Sequence, residues 1–197
     1  MSAMFEALHS LTELDLSNFD TSNVINMGWM FANSRMTKLD LSNFDTFSVT
    51  NMTNMFRGIW LTELDISHFN TGNVTNMASM FHYAERLTEL NLNDFNTSNV
   101  TTMACMFCDV NSLIELDISS FNTTNVIFMN NMFGSMRSIE SLDLRSFDTS
   151  NVTTMEAMLS FTSNLTQVLV NSSTWRTVGV DITNMWEGSN INSVTFG

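Results

Sequence analysis

The stretch from Leu61 to Phe81 decides the fold: it reads Leu-Thr-Glu-Leu-Asp-Ile-Ser-His-Phe-Asn-Thr-Gly-Asn-Val-Thr-Asn-Met-Ala-Ser-Met-Phe, and the chain repeats it. The opening motif, Leu-x-x-Leu-x-Leu with small changes, starts at positions 11, 36, 61, 87, 113 and 139, and a degraded copy starts at 165. The spacing of 25 or 26 residues falls in the range of leucine-rich repeats. Six copies that agree at so many columns are not a chance match.

The same columns follow the opening motif in every copy. The phenylalanine column is Phe19, Phe44, Phe69, Phe95, Phe121 and Phe147, and the threonine column is Thr21, Thr46, Thr71, Thr97, Thr123 and Thr149. A Met-x-x-Met-Phe block closes each unit, and 12 of the 17 methionines lie in it. We therefore interpret the methionines as core residues.

The two halves of a unit have different apolar periods. Leu14 and Leu16 alternate with Asp15, as a strand with one buried face requires. The block Met-x-x-Met-Phe has apolar residues at i, i+3 and i+4, which is the spacing of one helical face. The sequence therefore predicts an α/β repeat: a leucine-rich-repeat solenoid with a parallel strand sheet on one face and short helices on the other.

We expect residues 1–197 to form a single solenoid. Residues 1–10 are a half repeat, six full repeats follow from position 11, and residues 165–197 are a degenerate repeat with a C-terminal cap and strand. The chain has no proline, which suits a strand ladder because every backbone N–H is available to it.

Composition excludes several classes of function. The chain has 7 basic and 20 acidic side chains, a net charge of −13, so nucleic acid is not an expected partner. No apolar run approaches the roughly 20 residues of a membrane-spanning helix. We expect no membrane span.

The unit from Leu61 to Phe81 resembles the BspA-like leucine-rich repeats of bacterial surface proteins, which also occur in mycoplasma-type lipoproteins. The resemblance covers about residues 1–165 and rests on the Phe-Asp/Asn-Thr and Met-x-x-Met-Phe blocks. It implies a cell-surface or extracellular module for binding or adhesion, without catalysis. It carries over no functional residues. The first ten residues have neither the basic segment nor the apolar run of a signal peptide, so we expect no signal peptide or anchor in this chain.

Two outward-facing strand columns hold nine of the 20 acidic side chains. We predict that they form a partner-binding face, made of Glu13, Asp15, Asp40, Glu63, Asp65, Glu89, Glu115, Asp117 and Asp143. The alternative is a solvated acidic face that only keeps the protein soluble. A basic protein or surface ligand is the expected partner, and nothing in the sequence matches a defined calcium loop.

Catalytic, cofactor and metal motifs are not evident. Cys105-Met-Phe-Cys108 is a lone C-x-x-C inside one Met-x-x-Met-Phe block, which we interpret as structural thiols. The three histidines, His9, His68 and His82, lie in different repeats. We therefore predict a protein that is not an enzyme and has neither cofactor nor metal.

The ends of the chain suggest a second function. Met1-Ser-Ala-Met4-Phe5 is the second half of a repeat, and Ile191–Phe196 is the first half of one. Together they make about one repeat, which predicts self-association head to tail into a filament. The residues expected at that contact are Met1, Met4, Phe5, Ile191, Val194 and Phe196. The alternatives are ordinary ragged ends and a true C-terminal cap around Trp175 and Trp186.

Overall fold

The computed structural model describes residues 1–197. Its five strands are β1 (Glu63–Leu64), β2 (Glu89–Leu90), β3 (Ser141–Leu144), β4 (Gln167–Val170) and β5 (Ser193–Phe196). All pairings are parallel, in a two-stranded sheet β1-β2 and a three-stranded sheet β3-β4-β5. The chain forms no helix, and therefore none long and apolar enough to cross a membrane.

The predicted α/β solenoid with short helices on one face is wrong. The Met-x-x-Met-Phe blocks form successive β-turns instead. In the first repeat the N–H of Met30 donates to the carbonyl of Met27 at 3.2 Å, and Trp29 between them has a φ of 61°. A second left-handed residue, Asn33, follows four positions later. A positive φ at the third residue of a turn is the mark of type II geometry.

Hydrogen bonds to the next repeat explain why these blocks are turns. The N–H of Met27 donates to the carbonyl of Asn51, and that of Trp29 to Thr53, at 3.0 and 2.9 Å. A helix would direct every N–H to a carbonyl four residues earlier in its own segment. Isolated helices shorter than about 12 residues are marginal in water, so bonds between repeats decide the local conformation. The i, i+3, i+4 pattern cannot distinguish a helix from consecutive turns, because both conformations bury the same side chains.

The repeats stack along the whole chain. Single parallel bridges connect successive units on the side of the turns, through Asn26, Asn51, Asn76, Thr102, Phe128, Thr154 and Asp181. On the other side the short strands pair in two places only, β1 with β2 and β4 with both β3 and β5. The bridges on the turn side therefore connect the successive units along the chain.

Phenylalanine rings and methionines fill the interior. The rings of Phe31 and Phe56 stack with centroids 5.9 Å apart and planes within 5°. The same stack continues from Phe5 to Phe133 with spacings between 5.6 and 5.9 Å. All 12 methionines of the repeated blocks are fully buried, which confirms that they are core residues.

The threonine column is buried and joins each repeat to the next. The hydroxyl of Thr97 donates to the carbonyl of Asn122 at 2.9 Å and accepts from its N–H at 2.8 Å. The pairs Thr21 with Asp45 and Thr123 with Asp148 do the same. One hydroxyl thus satisfies two backbone groups of the neighbouring repeat.

The turn geometry predicts the sign of an alanine-to-glycine substitution. Ala157 has a φ of 52°, where a side chain is unfavourable, so Ala157→Gly should raise the free energy of unfolding by about 1 kcal/mol. If Ala157 lay in a helix, the same substitution would instead lower the free energy of unfolding by about 1 kcal/mol. The matched control is Ala104→Gly, which lies outside the left-handed positions and should lower stability by about 0.5 kcal/mol. Urea unfolding measures both, and a loss of stability in Ala157→Gly would contradict the turn.

The threonine bonds predict a second stability effect. Thr97→Val leaves the N–H and carbonyl of Asn122 without their partner and should lower the free energy of unfolding by about 2–3 kcal/mol. Thr97→Ser keeps the hydroxyl and should cost less than about 1 kcal/mol. Urea unfolding measures both variants, and a loss in Thr97→Val no larger than that in Thr97→Ser would contradict the expected contribution of the hydrogen bonds.

Candidate functional site

The nine acidic residues of the predicted binding face are all exposed. Parallel register places Glu63 directly beside Glu89 on β1 and β2. Neighbouring strands are about 4.8 Å apart, so carboxylates of the same column lie close together. The predicted residues therefore lie in two neighbouring columns, one of glutamates and one of aspartates, which together form one acidic file along the stack.

The aspartates of this face also form turns. Oδ1 of Asp15 accepts the N–H of Ser17 at 2.9 Å, and Oδ1 of Asp65 accepts that of Ser67 at 3.1 Å. The serine hydroxyls, followed by the backbone N–H groups, hold the pKa of Asp15 and of Asp65 below the ordinary value. Asn91 occupies the same column and makes the same turn. The carboxylates are therefore ionised and oriented at neutral pH, although the turn itself does not require their charge.

Ion pairs neutralise only the ends of this file. Lys38 lies 3.3 Å from the carboxylate of Glu13, and Arg145 lies 2.6 Å from that of Asp143. The other seven acids form no ion pair: Asp15, Asp40, Glu63, Asp65, Glu89, Glu115 and Asp117.

A shallow groove lies beside three of these free carboxylates, Glu89, Glu115 and Asp117. It has a volume of about 720 Å³ and is lined by Glu89, Asn91, Glu115, Asp117 and Ile114, among others. The side chain of Ile114 is 63% exposed. The groove thus combines negative charge with two apolar residues, Leu90 and Ile114, which suits a basic side chain with an aliphatic stem.

The residues predicted for head-to-tail contact lie at the two ends of the stack. Met1 and Met4 are exposed, while the ring of Phe5 stacks on Phe31 at 5.6 Å. At the other end Ile191 and Val194 are half-buried and Phe196 is exposed.

The two ends carry complementary backbone groups. The N–H groups of Asn184, Trp186 and Gly188 have no acceptor, although the matching groups of each earlier repeat donate to the next one. The carbonyls of Ser2, Met4 and Glu6 accept no hydrogen bond. The free N–H groups at the C-terminal end and the free carbonyls at the N-terminal end both recur at every second residue, at equivalent positions of the repeat. The ends therefore match in both polarity and spacing.

The sequence places several arginines in the return segments, which lead from the turns of one repeat to the strand of the next, but it does not indicate that they pack against aromatic rings. Arg57 lies between the rings of Trp29 and Tyr83, at 5.7 and 5.4 Å from their centroids. Trp60 lies between Arg35 and Arg86, at 5.5 and 4.8 Å. None of these three arginines pairs with a carboxylate. This corner of the stack therefore differs in charge and chemistry from the strand face.

The two cysteines lie in the same corner. Cys105 and Cys108 are joined in a disulfide, whereas the lone C-x-x-C predicts structural thiols. His82, of the preceding repeat, lies beside them: one atom from each of the three side chains falls within 4.8 Å of the others. The sequence predicts no shared site for the histidines because they lie in different repeats. Stacking brings His82 to the cysteines because it occupies the column of Cys108, 26 positions earlier.

The surroundings of His82 keep its ring neutral. Burial, with the nearby charge of Arg57, lowers the pKa of His82 to about 4. Nδ1 accepts the Nε–H of Arg57 at 3.3 Å, and Nε2 lies 3.6 Å from Oδ2 of Asp109. Burial raises the pKa of Asp109, against the opposing hydrogen bond from Ser135 and charge of Arg137. Sequence could have indicated this site through the columns in which the repeat is broken by Arg, His, Tyr and Cys.

Comparison with known proteins identifies the family. No curated protein and no solved structure matches the chain. A family model described as "Mycoplasma protein of unknown function, DUF285" matches residues 1–108 and again 86–194. These overlapping matches span nearly the whole chain and agree with its repeated architecture. The chain belongs to this mycoplasma repeat family, DUF285.

Proposed function

We propose that this chain is a non-enzymatic binding module, at the cell surface or outside the cell, whose acidic strand face takes a basic protein or surface ligand. The resemblance to BspA-like surface repeats supports the location and an adhesive role. The repeat family supports a scaffold built from one unit used many times. The polar columns of the strand face repeat one kind of group, whereas catalysis needs different groups that converge.

The observation that carries this proposal is the file of seven unpaired carboxylates beside the groove at Glu89, Glu115 and Asp117. Their even spacing suits a ligand with several positive charges, because each charge can meet a carboxylate of a different repeat. Long-range attraction between a chain of net charge −13 and a basic partner also accelerates their encounter.

The triple variant Asp40→Asn, Asp65→Asn, Asp117→Asn tests this face. Asparagine preserves the turns, as Asn91 shows, so only charge is lost. Binding of a fluorescent lysine-rich peptide at low salt, measured by anisotropy, should weaken about tenfold, since each exposed ion pair contributes about 0.5 kcal/mol.

A second triple variant controls for net charge. Asp20, Asp45 and Asp148 accept backbone N–H groups in the same kind of turn but belong to a different column. Their replacement by asparagine removes the same three charges away from the strand face. Equal weakening in both triple variants, or none in the first, would contradict the proposed binding face.

The matching ends favour head-to-tail assembly as a second candidate function. Docking would align the N–H groups of Asn184, Trp186 and Gly188 with the carbonyls of a second copy, and it would bring Val194 into a shared apolar core. Such a contact uses different surfaces on the two copies and continues as an open filament unless its rotation closes a ring.

Val194→Lys tests this assembly. A charge in the shared core should give monomers where the parent chain forms larger species, measured by light scattering across concentration and salt. Thr195→Lys is the matched control, because Thr195 is an exposed neighbour on the same strand and its replacement should leave assembly unchanged. A parent chain that stays monomeric at high concentration and low salt would rule out the filament.

A further inference from the structure

We propose that reduced Cys105 and Cys108 together with His82 bind a thiophilic metal ion of the zinc class, and that the Cys105–Cys108 disulfide closes this site. The proposal is independent of the acidic strand face. It assigns a ligand to the corner of the stack where the repeat pattern is broken.

The geometry of the three side chains carries the proposal. The disulfide sulfurs and one ring nitrogen of His82 lie within 4.8 Å of one another, so small side-chain movements could bring all three onto one ion. Two thiolates and an imidazole are the ligands that Zn²⁺ and softer ions prefer. Cys108 is only 4% exposed and Cys105 and His82 are half-buried, which limits the water that competes with them.

The positions equivalent to the two cysteines show that this arrangement is local. In the other units they are Trp29 and Ala32, Asn54 and Arg57, Ser79 and His82, Asn131 and Gly134, and Ala157 and Ser160. Apart from His82 itself, none of these residues is a usual zinc ligand. The three ligands therefore meet at one level of the stack, unlike the acids of the strand face, which recur in nearly every repeat.

The neighbours of His82 also suit a metal ligand. Arg57 donates to Nδ1, so that nitrogen has a lone pair directed outward from the ring, and Nε2 faces the carboxylate of Asp109 at 3.6 Å. A carboxylate beside the second ring nitrogen is the usual outer partner of a metal-bound histidine. Binding through Nδ1 would replace the hydrogen bond from Arg57 and leave Nε2–H directed at Asp109.

Opening of the site is a two-electron reduction. Two thiol groups of a dithiol reductant become its disulfide, and their two electrons and two protons convert the Cys105–Cys108 bond into two thiols. Binding of a divalent ion then releases both thiol protons, because the ligands are thiolates.

The test is titration of the full chain with Zn²⁺ alone, after reduction and removal of the reductant without oxygen. A chromophoric chelator should report one ion per chain, and Cd²⁺ should give a thiolate-to-metal absorption band. The oxidised chain should lose this binding. Cys105→Ser with Cys108→Ser should weaken it at least 100-fold, and His82→Asn about tenfold or more.

Two controls test for Zn²⁺ binding at the acidic strand face and for misfolding of the serine variant. The Asp40→Asn, Asp65→Asn, Asp117→Asn variant should bind Zn²⁺ as the parent does, because its strand face is not the site. In the parent chain Zn²⁺ should also slow alkylation of both cysteines, a readout that does not depend on how well the serine variant folds. Equal Zn²⁺ binding by the oxidised and reduced parent, or a reduced parent without the Cd²⁺ band, would overturn the proposal.

Discussion

The backbone hydrogen bonds between repeats are the constraint on which the rest of this structure depends. In the turn segments every second N–H donates to a carbonyl one repeat further along, as Met27 does to Asn51. A single unit would leave these groups without partners and its apolar side chains in water, so a unit is stable only within the stack. This dependence also explains why bulky residues such as Trp29 accept a left-handed backbone conformation.

The ladder brings equal positions of successive repeats into contact, and side chains exploit that contact in two ways. Where the column is constant, it forms a continuous structure: the phenylalanine stack, the buried methionines and the threonines that bridge neighbouring units. Where the column varies, different residues meet, as Arg57, His82 and Cys108 do at one column of three successive repeats. Sites with a chemistry of their own are therefore found in the columns whose residues differ from one repeat to the next.

The two surfaces that result have opposite properties. The strand face carries like charges, of which the aspartates are oriented by their own turns, and most of these charges form no ion pair. The return-segment corner holds arginines against aromatic rings, with a partly buried histidine and a disulfide beside them. An extended ligand with several charges suits the first surface, whereas a single small ion suits the second.

The sequence by itself determined the repeat, its length, the inward columns and the exposed file of acids. It could do so because a periodic pattern of side chains indicates which positions share an environment. It could not separate helix from turn in the Met-x-x-Met-Phe block, since both conformations bury Met27, Met30 and Phe31 alike. Only the tertiary structure decided that question, through hydrogen bonds to residues about 25 positions away. It alone also placed His82 beside Cys105 and Cys108, because the contact exists only once two repeats are stacked in register.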